Sequence, residues 1–312
     1  MFQTTLKKLR LTRWRGKLQR DMVMHDQAEQ LRLRMTGSRV VEPKARTIAI
    51  ASGVEGEGKS TFVVNFGIKL IEQNHRVLIF DLDVGKGTID RLLEVHPSRS
   101  LAHLFSEQKT IHDLIEQAPS SVSYLAGGTG VEVFSELDEC KFQYFQSQFE
   151  ELNRSYDYIL FNMRSTVEEN CSEFMTAAHE AIIVTTLSST SIRSTYGLIK
   201  RLLTREKEFP ISILLNRYAL ERESEDTSFR LQEVIHRHLK TQVQYLGAIP
   251  EDRAVIRSII QKKPFTIQFP EAQASKAISN IVYNYINLSE NKLHHQEFLF
   301  KLRRFISKGA RR

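Results

Sequence analysis

Short apolar runs alternate with amphipathic segments along most of this sequence. Several of the runs are apolar throughout, as expected of strands covered on both faces of a sheet. Between them, apolar residues recur at helical spacing. The alternation predicts an α/β domain with a doubly wound, mainly parallel sheet over residues 46–288. The predicted strands are Arg46–Ser52, Val77–Phe80, Val122–Ala126, Tyr158–Phe161, Ala181–Thr186, Ile211–Leu215 and Val243–Ile249.

The predicted helices lie between these strands and after the last of them. The pattern of a buried face and a polar face is most regular in the middle of each segment. The clearest examples are Thr61–Ile71, Cys140–Leu152, Thr195–Leu203, Phe229–Leu239 and Glu271–Leu288.

A glycine-rich loop joins the first strand to the first helix. Gly53–Ser60 fits the pattern G-x-x-x-x-G-K-[ST], in which backbone N–H groups surround phosphate oxygens. Lys59 reaches the β- and γ-phosphates of a nucleotide, and the Ser60 hydroxyl ligates Mg²⁺. A glycine-rich turn without a ligand is the alternative for a motif of this length. The strand before it and the helix after it favour nucleotide binding.

Two carboxylates follow the second predicted strand. Asp81 and Asp83 are two residues apart, so they share one side of the pleat beside the loop. Asp83 is a candidate to orient an attacking water, and Asp81 is a candidate to hold the waters of Mg²⁺. The alternative is that one of them caps the short helix predicted at Ile89–Leu93.

The formal net charge of +7 is unevenly distributed. Residues 1–46 carry 12 Lys/Arg and 4 Asp/Glu, and residues 289–312 carry 7 and 2. Residues 47–288 carry 25 Lys/Arg and 31 Asp/Glu, so the body is acidic. Basic ends on an acidic body favour contact with an anionic surface over binding of nucleic acid by the domain itself.

Composition narrows the class of protein further. No apolar run approaches the roughly 20 residues of a membrane span, and the first residues lack the apolar core of a signal peptide. The only cysteines, Cys140 and Cys171, stand in no metal-binding spacing. We therefore expect a cytoplasmic protein with no metal site beyond Mg²⁺ bound with a nucleotide.

Two segments precede the domain. Residues 1–25 form a basic arm. It is either a solvated extension or a segment that binds a membrane or an acidic partner. A further alternative is that translation starts at Met22 or Met24. Residues 26–45 form a short helix and linker. Asp26 is a candidate N-cap of this helix, which then docks on a partner or on the body.

The tail, residues 289–312, has the pattern of a basic amphipathic helix. Its apolar residues fall within an arc of about 120° at helical pitch, and its cations lie outside that arc. Such a helix suits the surface of an anionic membrane, and packing on the acidic body is the alternative. The apolar residues are Phe298, Leu299, Leu302, Phe305 and Ile306.

Further motifs accompany the glycine-rich loop: Asp81–Asp90, Tyr124–Gly130, Asn216-Arg217 and Tyr245–Arg253. Together with Gly53–Ser60 they resemble the MinD/ParA class of P-loop ATPases. The N-terminal Asp-Gln-Ala-x-x-Leu-Arg, Asp26–Arg32, is similar to that of its FlhG branch, the MinD-like regulators of flagellar number and placement. The resemblance covers residues 26–288.

The resemblance implies particular ligands and partners. ATP or ADP with Mg²⁺ is bound, Lys59 and Asp83 act in catalysis, and ATP drives formation of a homodimer and membrane binding. An FlhF-type GTPase is activated through Gln27, and flagellar switch components are contacted. The nucleotide contacts implied are Gly53, Val54, Glu55, Gly56, Glu57, Gly58, Lys59, Ser60 and Thr61, with Asn216, Pro250 and Asp252 near the base. The activating segment implied is Asp26, Gln27, Leu31 and Arg32.

Two positions depart from the pattern of that class. Val54 stands where a lysine normally reaches across the dimer, and Asn162 stands where an acidic residue normally ends the strand. Loss of a cationic clamp costs orders of magnitude in phosphoryl transfer. We therefore expect nucleotide binding with weak or absent ATP hydrolysis.

Two other functions compete with a flagellar regulator. A bacterial tyrosine kinase has a similar P-loop, but no tyrosine follows Tyr285, so its C-terminal tyrosine cluster is missing. A ParA-like partitioning ATPase requires a basic body for DNA, whereas this body is acidic.

Overall fold

An eight-stranded sheet forms the centre of the structure. The computed structural model describes residues 45–83, 88–107, 109–135, 137–165, 169–289 and 298–309. The basic arm, residues 1–25, and residues 26–44 of the following segment lie outside it. The strands are β1 (Arg46–Ser52), β2 (Val77–Asp81), β3 (Ile115–Gln117), β4 (Ser123–Ala126), β5 (Tyr158–Asn162), β6 (Glu180–Thr185), β7 (Ile211–Tyr218) and β8 (Gln244–Pro250).

The strand order is β3-β4-β2-β5-β1-β6-β7-β8. Every neighbouring pair is parallel except β3 and β4 at one edge, which are antiparallel. The predicted doubly wound, mainly parallel sheet is therefore confirmed, with all seven predicted strands present. The three-residue β3 was not predicted, because it is too short to show an alternating pattern.

Helices cover both faces of the sheet. The helices predicted within residues 46–288 are all present, although several begin earlier than their apolar pattern suggested, and the helix predicted after Asp26 lies outside the described residues. A 3₁₀ turn spans Ile111–Leu114. The helices are α1 (Lys59–Glu72), α2 (Thr88–Leu93), α3 (Leu101–Ser106), α4 (Glu132–Ser135), α5 (Glu139–Ser155), α6 (Glu169–Ala177), α7 (Ser189–Arg205), α8 (Glu221–Leu239), α9 (Arg253–Ile260), α10 (Phe265–Gln268), α11 (Gln273–Ser289) and α12 (Phe298–Gly309).

Two apolar layers hold these helices on the sheet. One layer packs α1 and α11 against one face, where Phe66 lies edge-on to Tyr285 at 5.4 Å between ring centroids. The other packs α5, α6, α7 and α12 against the opposite face. This second layer is rich in phenylalanine, and its fully buried rings include Phe80, Phe134, Phe145, Phe149, Phe161 and Phe174.

Helix α12, in the tail, belongs to this second layer. Phe298 is only 3% exposed, and its ring centroid lies 4.7 Å from that of Phe149 and 5.1 Å from that of Phe161. Lys301 donates to Glu206 at 2.7 Å. Packing on the body, the alternative for this amphipathic helix, is the arrangement observed. Of the predicted membrane residues, Phe298, Leu299, Leu302 and Ile306 are buried, and the side chain of Phe305 lies outside the described residues.

Among the described residues, no helix combines the length and the hydropathy that crossing a membrane would need.

Candidate functional site

The glycine-rich loop turns tightly between β1 and α1. Gly56 and Gly58 have φ angles of 78° and 86°, in the left-handed region that favours glycine. A Cβ on Gly58 would lie 2.3 Å from the side-chain nitrogen of Asn216, so no other residue fits there without displacing Asn216. Helix α1 begins directly after this turn, which leaves its first N–H groups pointing into the loop.

Lys59, the first residue of α1, is directed into a cluster of polar side chains. Its Nζ donates to Asp83 Oδ2 at 2.7 Å and to Asn162 Oδ1 at 2.8 Å, and Lys59 is only 4% exposed. The order of the strands brings these three side chains together, because β5 lies between β1 and β2 and all three strands end at the same edge of the sheet. The ammonium is therefore fixed at the carboxyl ends of the strands, where α/β proteins bind ligands.

Asp81 lies behind Asn162. The Asn162 Nδ2 donates to Asp81 Oδ1 at 2.7 Å, and the Tyr124 hydroxyl donates to Asp81 Oδ2 at 3.2 Å. Burial raises the pKa of Asp81, although the Asn162 hydrogen bond acts in the opposite direction. Burial and the neighbouring Asp81 raise the pKa of Tyr124 as well. The amide of Asn162 thus links the cation of Lys59 to the carboxyl of Asp81.

Two side chains at the end of β7 bind the glycine-rich loop. Asn216 Nδ2 donates to the Glu57 carbonyl at 2.7 Å, and the Arg217 guanidinium donates to the Gly56 carbonyl. Arg217 has a φ of 59°, which turns the chain sharply after Asn216. Both side chains therefore fix the backbone of the loop beside the space in front of it.

A cavity of about 420 Å³ lies in front of the loop, within the size range of small-ligand sites. The loop lines one side of this cavity. Asn216 and Pro250–Asp252, which were expected to lie near the base of a nucleotide, line another. Its apolar wall comes from α9 and α10. The lining residues are Ser52, Glu55, Gly56, Gly58, Lys59, Ser60, Thr61, Phe62, Asp83, Ser165, Asn216, Arg217, Ile249, Pro250, Glu251, Asp252, Val255, Ile256, Ile259 and Phe265.

Four of the predicted ligand-binding residues do not line this cavity. Gly53 packs against α7, where a Cβ would lie 2.8 Å from the Ser194 backbone. Val54 and Glu57 line a separate cavity of about 530 Å³ on the outer side of the loop. Asp81 faces a third cavity of about 290 Å³. Of the two strand-end carboxylates, Asp83 is therefore the one that faces the space beside Lys59.

Glu57 has a structural contact that the sequence analysis missed. Its carboxylate is buried, accepts hydrogen bonds from the Ser191 hydroxyl and the Val54 N–H, and has its pKa raised by burial. The Ser191 bond fixes the loop to the first turn of α7, and the Val54 bond lies within the loop. The available signal was a carboxylate placed between two glycines, both of which have positive φ in the structure.

The donor set around the cavity fits Mg²⁺ bound together with a nucleotide. Among the described residues, no group of three or more His, Cys, Asp or Glu side chains could hold a metal ion. Ser60 and Asp83 both line the cavity, and hard oxygen donors with several waters are the environment that Mg²⁺ prefers. The protein would therefore supply only part of the coordination.

The remaining predicted site residues lie elsewhere. Asp26, Gln27, Leu31 and Arg32 fall outside the described residues. Tyr285, the last tyrosine, is buried and donates its hydroxyl to Glu180, so it is not available as a phosphate acceptor. A tyrosine kinase with a C-terminal tyrosine cluster is not supported by this arrangement.

A family model described as the CobQ/CobB/MinD/ParA nucleotide binding domain matches residues 48–265. The antiactivator FleN of Pseudomonas aeruginosa is 26% identical over 255 residues, which cover 81% of this chain and 91% of FleN. The flagellum site-determining protein YlxH of Helicobacter pylori is 24% identical over 237 residues, covering 75% of this chain and 79% of YlxH.

Solved structures show the same fold. The cell division ATPase MinD of Pyrococcus furiosus has a TM-score of 0.62 at 22% identity, covering 78% of this chain and 99% of MinD. The septum site-determining protein MinD of Pyrococcus horikoshii, complexed with Mg-ADP, has a TM-score of 0.62 at 23% identity, covering 78% of this chain and 97% of that protein.

Proposed function

Because this chain belongs to the CobQ/CobB/MinD/ParA nucleotide-binding family, we propose that it is an ATP-binding regulator of flagellar number and placement. Two relatives with flagellar or antiactivator names, FleN and YlxH, cover most of the chain and support the biological part of this proposal. The site geometry supports the nucleotide part.

One observation carries the nucleotide part of the proposal. The Lys59 ammonium is buried at the start of α1, at the inner end of a cavity bounded by two glycines with positive φ. A buried cation beside open N–H groups is an environment that favours phosphate oxygens. The Asn216 and Pro250–Asp252 side of the cavity then accommodates the base.

The residues divide the work of handling ATP. When bound, the nucleotide with Mg²⁺ supplies the phosphoryl group and neutralises its charge. Lys59 exchanges its partners Asp83 and Asn162 for phosphate oxygens, and Ser60 contributes a hydroxyl ligand to the metal. The carboxylate of Asp83 then becomes free to accept a hydrogen bond from a water and orient it for attack.

Hydrolysis on this site is proposed to be slow. Val54 offers no cation to a partner's nucleotide, so less positive charge would be available to stabilise the transition state. Asn162 carries no charge, and the buried carboxyl of Asp81 behind it is bound to Asn162 and Tyr124. A protein that binds ATP without rapid turnover would remain in its nucleotide-bound state, which suits a regulator that acts through the complexes it forms with partners.

Nucleotide binding and turnover by the purified full chain test this proposal. We expect a fluorescent ATP analogue to bind in the presence of Mg²⁺, and the release of phosphate to be slow compared with typical turnover of about 10 s⁻¹. Isothermal titration and a phosphate-release assay measure the two steps separately. Failure to bind any adenine nucleotide would refute the central claim. Rapid turnover would refute only the interpretation that Val54 and Asn162 make hydrolysis slow.

Gln27 is proposed to act on a second nucleotide site, that of an FlhF-type GTPase. Replacing Gln27 with alanine should reduce the stimulated rate of GTP hydrolysis by about tenfold or more, since an orienting side chain contributes about 10²–10⁴-fold in comparable catalytic roles. GTP turnover by the GTPase alone, with this chain and with the variant is the measurement.

Gln30→Ala is the matched control for this prediction, because it removes the same amide three residues away. Stimulation should persist in that variant, and ATP binding should be equal in all three proteins. Equal stimulation by Gln27→Ala and by the unmodified chain would contradict the proposed activating role.

Peripheral association with a membrane is the third part of the proposal. The tail residues expected to enter the lipid are Phe298, Leu299, Leu302, Phe305 and Ile306. Four of these are buried on the body in the described structure, so the tail reaches a membrane only after α12 leaves its position beside α6. Release of this helix exposes an apolar layer as well as the stripe, which makes it energetically costly.

A further inference from the structure

Helix α9 presents its apolar face to solvent. Ile256, Ile259 and Ile260 are spaced as i, i+3 and i+4, so they share one face of the helix, and Ile260 is 74% exposed. Toward the body the helix turns Val255, which packs against the layer of α1 and α11, and Ser258, which is buried. The three isoleucines therefore lie on the solvent side, whereas the apolar stripe of an ordinary surface helix faces the core.

The apolar surface continues onto the next helix. Ile267 of α10 is half exposed, and a side-chain hydrogen bond between Gln261 and Gln268 ties the two helices together. The four isoleucines together expose on the order of 400 Å², comparable to the largest apolar patch of a typical monomer. We call Ile256, Ile259, Ile260 and Ile267 the isoleucine surface.

Cations flank the isoleucine surface. Arg253, Arg257, Lys262 and Lys263 are all exposed, and no ion pair joins any of them to a carboxylate within the described ranges. The carboxylate of Asp252 is engaged elsewhere, since it accepts hydrogen bonds from the N–H groups of Ala254 and Ala274. This local charge is opposite in sign to the net charge of the acidic body.

Size and charge distinguish between candidate occupants. A stable protein interface buries about 800 Å² on each partner, roughly twice what the isoleucine surface offers. A second copy meeting this surface with its own would bring its cations against Arg253, Arg257, Lys262 and Lys263, because a two-fold contact pairs each patch with itself. An anionic lipid surface satisfies both the charge and the apolar face, and needs no complementary shape.

We propose that α9 and the start of α10 form a lipid-binding surface, with the isoleucines entering the headgroup boundary of an anionic membrane and the four cations contacting the headgroups. This inference deepens the membrane part of the proposed function and assigns it a surface that is exposed in the folded protein. It does not depend on release of α12 or on ATP turnover.

Vesicle co-sedimentation with the full chain tests the proposal. The vesicles contain phosphatidylcholine and phosphatidylglycerol in equal parts, with phosphatidylcholine alone as the neutral comparison. We expect the double variant Ile260→Asn/Ile267→Ser, at two positions that do not line the nucleotide cavity, to bind the anionic vesicles about tenfold more weakly than the unmodified protein, because two of the inserted side chains become polar. Both positions are exposed, so the fold should be retained.

Phe229→Ser is the matched control, because Phe229 is 68% exposed on α8, which packs on the other face of the sheet. Its vesicle binding should equal that of the unmodified chain. Equal binding by the double variant would overturn the isoleucine surface and leave the tail or the basic arm as the membrane contact. No binding by any protein would overturn this inference together with the membrane part of the proposal, while ATP binding is judged by its own assay.

A second copy as the occupant has a separate signature. The mass in solution, measured by light scattering over a range of protein concentrations, would then rise above that of a monomer and return to it in Ile260→Asn/Ile267→Ser. That result would also overturn the lipid assignment.

Discussion

Replacing Lys59 with alanine should weaken ATP binding by about 100-fold. Hydrogen bonds to charged groups contribute about 1.5–3 kcal/mol each, and Lys59 is the buried cation at the inner end of the cavity. The variant also leaves Asp83 without its ion-pair partner, which adds a negative charge near the incoming phosphates. Titration with a fluorescent ATP analogue and Mg²⁺ measures the loss.

Lys69→Ala provides the control for this prediction. Lys69 lies in the same helix, ten residues and therefore about 15 Å further along its axis, where it pairs with Glu72 at 2.7 Å. Its loss should leave nucleotide affinity within about twofold, because Lys69 lies far from the cavity. The ion pair that is lost contributes at most about 1 kcal/mol to stability, so the fold that holds the site is retained. Unchanged affinity in Lys59→Ala, with folding verified by circular dichroism, would show that the loop is not the phosphate site.

The sequence was sufficient to predict the centre of the fold. Parallel strands buried on both faces leave continuous apolar runs, and all of the strands predicted from such runs are present. The P-loop was equally accessible, because its glycines and Lys59 are required at fixed spacing by the chemistry of a phosphate. These two features fix the location of the cavity at the end of β1.

Helix starts were harder to predict than helix existence. Helix α7 begins at Ser189 and α8 at Glu221, several residues before the first apolar residue of either pattern. A cap explains the first, since the Ser188 side chain accepts a hydrogen bond from the Ser191 N–H. The first two turns of α8 are almost entirely polar, so periodicity gave no signal there.

Long-range contacts could not be predicted from local pattern. The two strand-end carboxylates looked equivalent in sequence, yet Asp83 faces the cavity and Asp81 lies behind Asn162. That difference depends on β5 lying beside β2, a pairing about 80 residues apart along the chain. The isoleucine surface was not predicted, because no helix was predicted over Arg253–Ile260, whose eight residues are too few for a clear helical pattern.

Replacing Phe298 with alanine should lower the free energy of unfolding by about 3–5 kcal/mol, the usual cost of removing a buried phenylalanine. Its ring lies among Phe149, Phe161 and Phe174, at centroid distances of 4.7, 5.1 and 5.7 Å. Truncation would leave a cavity that these rigid aromatic neighbours cannot fill. Urea unfolding followed by circular dichroism measures the change.

Phe300→Ala tests the same helix with the same chemical change on its other face. Phe300 is 69% exposed, so its truncation should alter stability by no more than about 0.5 kcal/mol. A large difference between the two variants means that α12 is part of the folded core, and that any membrane contact through the tail must first overcome the burial of Phe298. Equal, small effects would mean that α12 is undocked in solution and free to meet a membrane. The pair of variants therefore decides whether the tail is available to lipid in the folded protein.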